Sequence, residues 1–328
     1  MFPAIHGQVL PRHRKCEPQL TTFVAPIDPP DSADTELDEV VAEILRLDPD
    51  GSRWASVVRH TYDMIYNGAE TGRYRWDQLM KTEKTHFGTL FEINAQREFG
   101  FDGGDETDYR IAGHQVDAKW SQKKGSWMLP PEVFGRLALV ATGNDERSEW
   151  SLGLIRVNAE YRSASFNRDM KSTLNALGRS KVHWIWHEAP MPANILLQLP
   201  RATVDAIFEL KAGTQRTNQL FRVAEGQLVH RSAVRTVAMQ LDDQKRVRKN
   251  GGARSALAPE GFVILSGAYH RKIAVDLGVP VPNTKEYISV RVVPADDSNG
   301  TLIDGAHWRR AMADEASTVA APTPTQGS

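Results

Sequence analysis

The chain has 328 residues, 41% apolar and 25% charged, a globular composition long enough for two domains. Its formal net charge of −1 excludes a global basic field, so any nucleic-acid surface has to be a local patch. The single cysteine, Cys16, excludes an intramolecular disulfide framework and a multi-cysteine zinc site, and no apolar run reaches the roughly 18 residues of a membrane span.

Residues 1–34 carry Pro3, Pro11, Pro18, Pro26, Pro29 and Pro30 without periodicity and read as a flexible segment with no apolar signal-peptide core. The first helix starts at Thr35, with Val40, Val41, Ile44 and Leu45 as one stripe, and ends at Pro49-Asp50-Gly51. Ser52 is the expected cap of a second helix through Trp54, Val58, Tyr62 and Ile65, closed by Gly68. A third runs from about Thr82 to Phe99, with Phe87, Leu90, Phe91 and Phe99 inward and Glu92 in its middle. A hairpin, "TDYRIAGHQVDAKW", spans Thr107 to Trp120, and Leu137–Thr142 and Leu152–Val157 read as strands. Residues 35–187 thus make a mixed α/β layer.

A second unit covers 188–311, its start marked only by Pro190 and Pro192. Ile195–Leu199 reads as a strand, Thr203–Lys211 as a helix and Asn218–Val223 as a short helix broken at Gly226. Arg231 to about Lys249 reads as a longer helical stretch, and Phe262–Leu265 and Ile288–Val293 as strands. Short helices, a long one, then strands around a Gly-rich loop resemble a winged helix-turn-helix. Residues 312–328, rich in Ala, Thr and Pro, read as a disordered tail.

The hairpin carries Asp108, Asp117 and Lys119 where a quiet structural hairpin carries Thr or Val. A turn centred on Ala112-Gly113 pairs Ile111 with His114 and Tyr109 with Val116, and sets Asp108 opposite Asp117. Alternation puts Lys119 on that same face. Facing carboxylates repel, and a divalent cation between them removes the cost; hard oxygen ligands suit Mg²⁺. An ammonium so close stabilises charge on a phosphorane or orients a water. Glu92 is a third carboxylate if its helix packs beside the sheet. The register is an inference, because Ala is a poor residue for the positive φ of a type I′ turn and an odd loop breaks the pairing. From spacing alone, a solvated hairpin face stands as the alternative.

"HRSAVRTVAMQLDDQKRVRKNGGARSALAPEG" is the most basic stretch: Arg231, Arg235, Lys245, Arg246, Arg248, Lys249 and Arg254 outnumber Asp242 and Asp243. Arg231 and Arg235 share a helical face, opposite Val234, Val237, Ala238 and Leu241, as in a recognition helix. The following Gly-Gly loop presents backbone N–H groups to phosphate; a solvated basic helix end is the bland alternative. Lys123 and Lys124 precede Trp127, which borders DNA or packs in the core. Trp54, Trp76, Trp184, Trp186 and Trp308 read as core or interface. His86 and His114 lack metal-ligand spacing and read as structural; Cys16 reads as incidental. "IYNG" resembles the nucleophile motif of DNA ligases, but Ile65 stands at the nucleophile position and cannot form a phosphoamide.

Five separated stretches, "TGRYRWDQLMKTEKTHFGTLFEIN", "ETDYRIAGHQVDAKW", "WMLPPE", "KRVRKNGGARSALAPEG" and "RVVPAD", resemble the NaeI restriction endonuclease family. Residues 160–185 match it poorly. The resemblance implies a PD-(D/E)xK-like nuclease core followed by a catabolite-activator-like DNA-binding domain. Glu92, Asp108, Asp117 and Lys119 match the family's catalytic set in order and spacing. The resemblance implies that Asp108, Asp117, Glu92 and the Ala118 carbonyl hold Mg²⁺. It implies a homodimeric type II (IIE-like) enzyme that hydrolyses double-stranded DNA at a palindrome, typically GCCGGC to blunt ends, and needs a second copy of the site as effector. Two other readings compete: a winged-helix regulator whose nuclease-like domain has lost its chemistry, and a repair-type nickase. No membrane association is expected, and a reducing cytoplasm is the expected setting.

Overall fold

In the computed structural model, which describes residues 34–296 and 300–324, the apolar stripes of the first half form helices laid against one mixed sheet. The expected flexible segment, Cys16 included, lies outside the described residues apart from Asp34. Helix α1 spans Thr35–Leu47; Asp34 caps it by accepting the Leu37 N–H, and Leu37, Val40 and Ile44 are buried. Helix α2 spans Ser52–Tyr66. Ser52 is its first residue rather than its cap. The cap position is Gly51 at φ 72°, and Asp50 and Asp48 accept the N–H groups of Ser52 and Trp54, at 3.0 and 2.9 Å. Asn67 at φ 47° ends α2 and leads into α3, Gly68–Thr71; α4 spans Lys81–Phe99 and stops at Gly100, also left-handed.

The hairpin consists of β1 (Tyr109–Ile111) and β2 (His114–Trp120). Then come β3 (Leu137–Asn144), β4 (Glu149–Arg156), β5 (Arg162–Phe166), β6 (Ser172–Leu174), α5 (Ala176–Ser180) and β7 (His183–Pro190). The sheet order is β1-β2-β3-β4-β7, with β2 and β3 parallel and every other pair antiparallel; β5 and β6 form a separate ribbon. Strand β7 runs to Pro190, past the boundary expected at 187. The sheet is covered on both faces, so β3 is buried almost throughout. Val116, Ala118, Leu137, Leu139 and Ala141 face α1, α2 and α4, while Ala138, Val140 and Ile155 face Trp127, Leu129, Val133 and Leu174.

In the second half α6 spans Ile195–Gln198, a helical turn where a strand was expected. Asn194 accepts the Leu196 N–H and starts that turn, a local bond that an apolar run of this length does not reveal. Next come α7 (Arg201–Glu209), α8 (Gly213–Val223), β8 (Leu228–His230) and α9 (Arg231–Ala238). The expected single helix to Lys249 is broken: Met239 takes φ 52°, and Asp242 caps a separate α10, Asp243–Val247. The break leaves Leu241, expected in the core stripe, 69% exposed. Then follow α11 (Ala253–Leu257), β9 (Phe262–Ser266), α12 (Arg271–Asp276), β10 (Glu286–Pro294), β11 (Thr301–Ile303) and β12 (Ala306–Arg310). Strand β10 pairs antiparallel with β8, β9 and β12. The expected loose tail is held as far as it is described: Ala321 is buried, its N–H donates to the Ala258 carbonyl, and Glu315 pairs with Arg309.

The register inferred for the hairpin is the one observed: Tyr109 pairs with Val116, Arg110 with Gln115 and Ile111 with His114. Ala112 (φ 50°) and Gly113 (φ 85°) are both left-handed, as a type I′ turn requires. The alanine holds that conformation at a cost that Asn largely avoids. Replacing Ala112 by Asn is expected to raise unfolding stability by about 1 kcal/mol in urea denaturation without changing activity; an unchanged or lowered midpoint contradicts this account of the turn.

Candidate active site

Helix α4 and the hairpin meet through a bond between side chain and backbone. Tyr109, inward-facing on β1, donates its hydroxyl to the Glu92 carbonyl at 2.8 Å. Its neighbour Asp108 lies just outside the strand ladder and accepts the Ala118 N–H at 2.7 Å. Together these bonds bring Glu92, from the helix side of the hairpin, within electrostatic reach of Asp108, Asp117 and Lys119. The Lys119 ammonium lies 2.5 Å from Asp117 Oδ2, 3.7 Å from Asp108 Oδ2 and 3.0 Å from the Ala118 carbonyl oxygen.

Crowding sets the electrostatics. Burial, with Asp108 and Asp117 adding like charge, pushes Glu92 up to about 7, and protonated Glu92 donates to Asp108. Burial pushes Asp117 up to about 6 against the opposing pull of Lys119. Glu132, in the "WMLPPE" stretch, adds to that rise. Sequence reasoning did not single out Glu132, although the motif containing it was in view. Tyr109 likewise figured there only as the cross-strand partner of Val116.

Asp117 Oδ2 is buried, and although the ammonium stands beside it, no donor is aligned on it as a hydrogen bond. Among the described residues no three His, Cys, Asp or Glu side chains form a finished metal cage. The donors present still fit a hard divalent ion. Two carboxylates and a carbonyl suit Mg²⁺, which keeps several waters, and the Lys119 ammonium occupies the cationic place beside Asp117 Oδ2. Lys119 serves as the internal counter-ion.

The other expected residues are scattered. Lys123 and Lys124 are exposed, and Lys124 pairs with Glu188 at 3.5 Å and lies over the Trp184 ring. Trp127 is core, 1% exposed, donating to the Ala141 carbonyl. His114 meets Glu39 rather than the carboxylate cluster. Arg231 and Arg235, expected to face outward, both hold the buried Asp243, at 3.0 and 2.8 Å, and keep about a third of each side chain exposed. Arg246 is taken up by Gln240 and Thr214, and Arg254 donates to the Ile264 carbonyl from a largely buried position that lowers its pKa. Lys245, Arg248 and Lys249 are exposed.

A helix Glu, an Asp at the start of a strand and an Asp-x-Lys crowded together at the edge of a mixed sheet are consistent with a restriction-endonuclease-like core. The family described as "Restriction endonuclease NaeI" matches residues 38–319. Over 290 residues the chain is 45% identical to the protein named "Type II restriction enzyme NaeI" of Lentzea aerocolonigenes, covering 85% of this chain and 91% of that protein. The chain belongs to the NaeI restriction endonuclease family and is a type II restriction enzyme, a site-specific DNA endonuclease. Enzymes of that class generally need a divalent metal ion.

The raised carboxyls give a pH prediction for the metal-free protein. Glu92 binds its proton more tightly folded than unfolded, so its contribution to stability is present below about 4.5 and is lost as pH rises through about 7. Glu92→Gln removes that loss. The variant is expected to melt above wild type at pH 8, with the gap closing toward pH 5. A gap that is constant across pH contradicts the crowding.

Proposed function

We propose that the chain is a Mg²⁺-dependent, IIE-like enzyme that hydrolyses double-stranded DNA at a palindromic, GC-rich site of the GCCGGC kind. It acts as a homodimer in the cytoplasm, and its second unit holds another copy of the site as effector. The observation that carries the chemistry is the convergence of Glu92, Asp108, Asp117 and Lys119 beside the Ala118 carbonyl. Among the described residues no helix is long and apolar enough to cross a membrane.

In this mechanism Asp108, Asp117 and the Ala118 carbonyl would hold the ion, with Glu92 as a further carboxylate beside them. Bound Mg²⁺ supplies polarisation of the scissile phosphate and a water of lowered pKa. Lys119 gives up part of its contact with Asp117, then positions the attacking water or offsets charge on the phosphate oxygens. Tyr109 keeps Glu92 at the hairpin. Asp108 keeps the Ala118 peptide oriented so that its carbonyl stays on the site.

The second unit is assigned as a winged helix-turn-helix. The order of helix α8, strand β8, helices α9 to α11, then antiparallel strands supports this, as does the basic run from Lys245 to Lys249. Lys245, Arg248 and Lys249 are assigned to phosphates, and Arg231 and Arg235 contact DNA from their anchorage on Asp243. Arg246 and Arg254 shape that surface, while Lys123 and Lys124 extend it on the catalytic unit. The intact catalytic quartet speaks against a regulator that has lost its chemistry.

Asp117→Ala and Lys119→Ala are each expected to lower cleavage by about 10³-fold or more while leaving DNA binding without divalent metal within a few-fold of wild type. Cutting at the wild-type rate removes these residues from the mechanism. With Mg²⁺, a plasmid bearing two sites is expected to be linearised faster than one bearing a single site. Binding without cuts supports the regulator, and single-strand nicks support the nickase.

A further inference from the structure

The sheet face that carries the chemistry also carries a projecting hairpin. Strand pairing sets Asp117 beside Ala138 and Lys119 beside Val140, so these four side chains leave the same face. Ala138 and Val140 are covered there by Trp127, Leu129, Val133 and Leu174. Leu129 exchanges two backbone hydrogen bonds with Ser172, at 2.9 and 3.0 Å. The β5–β6 ribbon is therefore stapled to the connection that leaves β2, and it rises from the catalytic face.

Its tip is preformed. Asn167 accepts the N–H groups of Asp169 and Lys171 on its side chain and donates its own N–H to the Lys171 carbonyl. Arg162 lies between the rings of Phe134 and Phe166, at 5.2 and 5.5 Å, and donates to Ser172 Oγ and the Met170 carbonyl. Two large apolar side chains are exposed here: Phe166, 57%, with one ring face on Arg162, and Met170, 45%. Residues 162–171 hold Arg162, Arg168 and Lys171 against Asp169 alone, and neither Arg168 nor Lys171 is taken up in an ion pair among the described residues.

We propose that this ribbon is a substrate-gripping wedge. Arg168 and Lys171 hold phosphates near the scissile bond, and Phe166 and Met170 enter the groove and loosen a base step beside the cut. For Asp117 and Lys119 to reach a phosphate, the duplex has to lie on this face, against which the base of the ribbon packs. Cations that position and apolar side chains that insert are the parts such a contact needs. A tip already held by its own hydrogen bonds loses little entropy on binding. A contact with a second copy of the chain would use the apolar pair but gives no role to the two solvated cations. The proposal rests on double-stranded DNA being the substrate.

The test uses the full chain and a duplex that the wild type cuts, carrying 2-aminopurine near the cut and studied without divalent metal. Arg168→Ala with Lys171→Ala is expected to weaken binding about tenfold and lower the slope of log affinity against log salt by up to about 2. Arg168→Glu with Lys171→Glu is expected to weaken it further. Phe166→Ala with Met170→Ala is expected to keep the salt slope and lose the 2-aminopurine brightening. All four side chains are at or near the surface, so melting temperatures should match wild type. Wild-type affinity, slope and brightening in every variant overturn the wedge. So does a loss of binding that accompanies a fall in sedimented mass, which makes the ribbon a subunit contact. If the wild type itself neither binds nor cuts duplex, the endonuclease reading fails and the wedge with it; a wild type that cuts beside unchanged variants removes the wedge alone.

Discussion

The antiparallel register of β1 on β2 is the constraint on which the candidate site depends. With Ala112 and Gly113 both left-handed, the turn has two residues and Tyr109 meets Val116. Because β2 is held by its pairing with β3, a slip of one residue would turn Tyr109 away from Glu92 and Asp108 away from the Ala118 N–H. Asp108 then does what a ladder residue cannot. By accepting the Ala118 N–H through its side chain, it continues the pairing and keeps a carboxylate within ion-pair reach of Lys119. Tyr109, on the opposite side of the same short strand, reaches the carbonyl of Glu92. Two adjacent residues thus join the helix and the second strand, and the four chemical groups converge because of it.

Convergence has an electrostatic cost. Three carboxylates and one ammonium share a partly buried space, and both Glu92 and Asp117 hold protons well above the ordinary carboxylate range. Structures keep such frustration where function needs it. Lys119 limits the cost by lying between Asp108 and Asp117, which also explains why the carboxylates do not form a finished cage among the described residues. The site has the donors for a divalent ion, with an ammonium in the gap between them.

Much of this site was legible because a β-hairpin converts sequence distance into spatial distance with few free choices. The spacing of Asp108 and Asp117 about Ala112-Gly113 fixed their relation once the turn length was right, and Lys119 followed by alternation. The approach of Glu92 was legible only through resemblance, since it depends on how α4 packs. The second unit was read less well, for a physical reason. Asn194 turns an apolar run into a helix through one side-chain bond, and Met239 breaks an otherwise sound helical pattern so that Asp243 can be buried under Arg231, Arg235 and Tyr287. A count of charges reads those arginines as facing solvent; the buried carboxylate that collects them comes from the next helix. Trp127 was ambiguous for the same reason, because its partner, the Ala141 carbonyl, lies on a strand after it.

Helix α2 ties the two units together. Its Arg59 is buried against Asp145 and Asp63, and Tyr66 donates to Asp145 at 2.9 Å. On its outer side Asp63 faces His230, the residue that caps α9, at 3.6 Å; burial holds that imidazole neutral, with its pKa lowered to about 4. Just beyond the helix Gly68 packs so closely on Thr236 of α9 that a Cβ would overlap its hydroxyl, and Tyr74 stacks on Phe208. On the inner side Tyr62 packs against Trp120 of β2 and donates to Gln122, in the connection that returns across the catalytic face. Helix α2 thus touches α9 on one side and, on the other, the strand of Asp117 and Lys119. The close fit at Gly68 and the contacts of Tyr62 place α2 in direct packing with both α9 and β2.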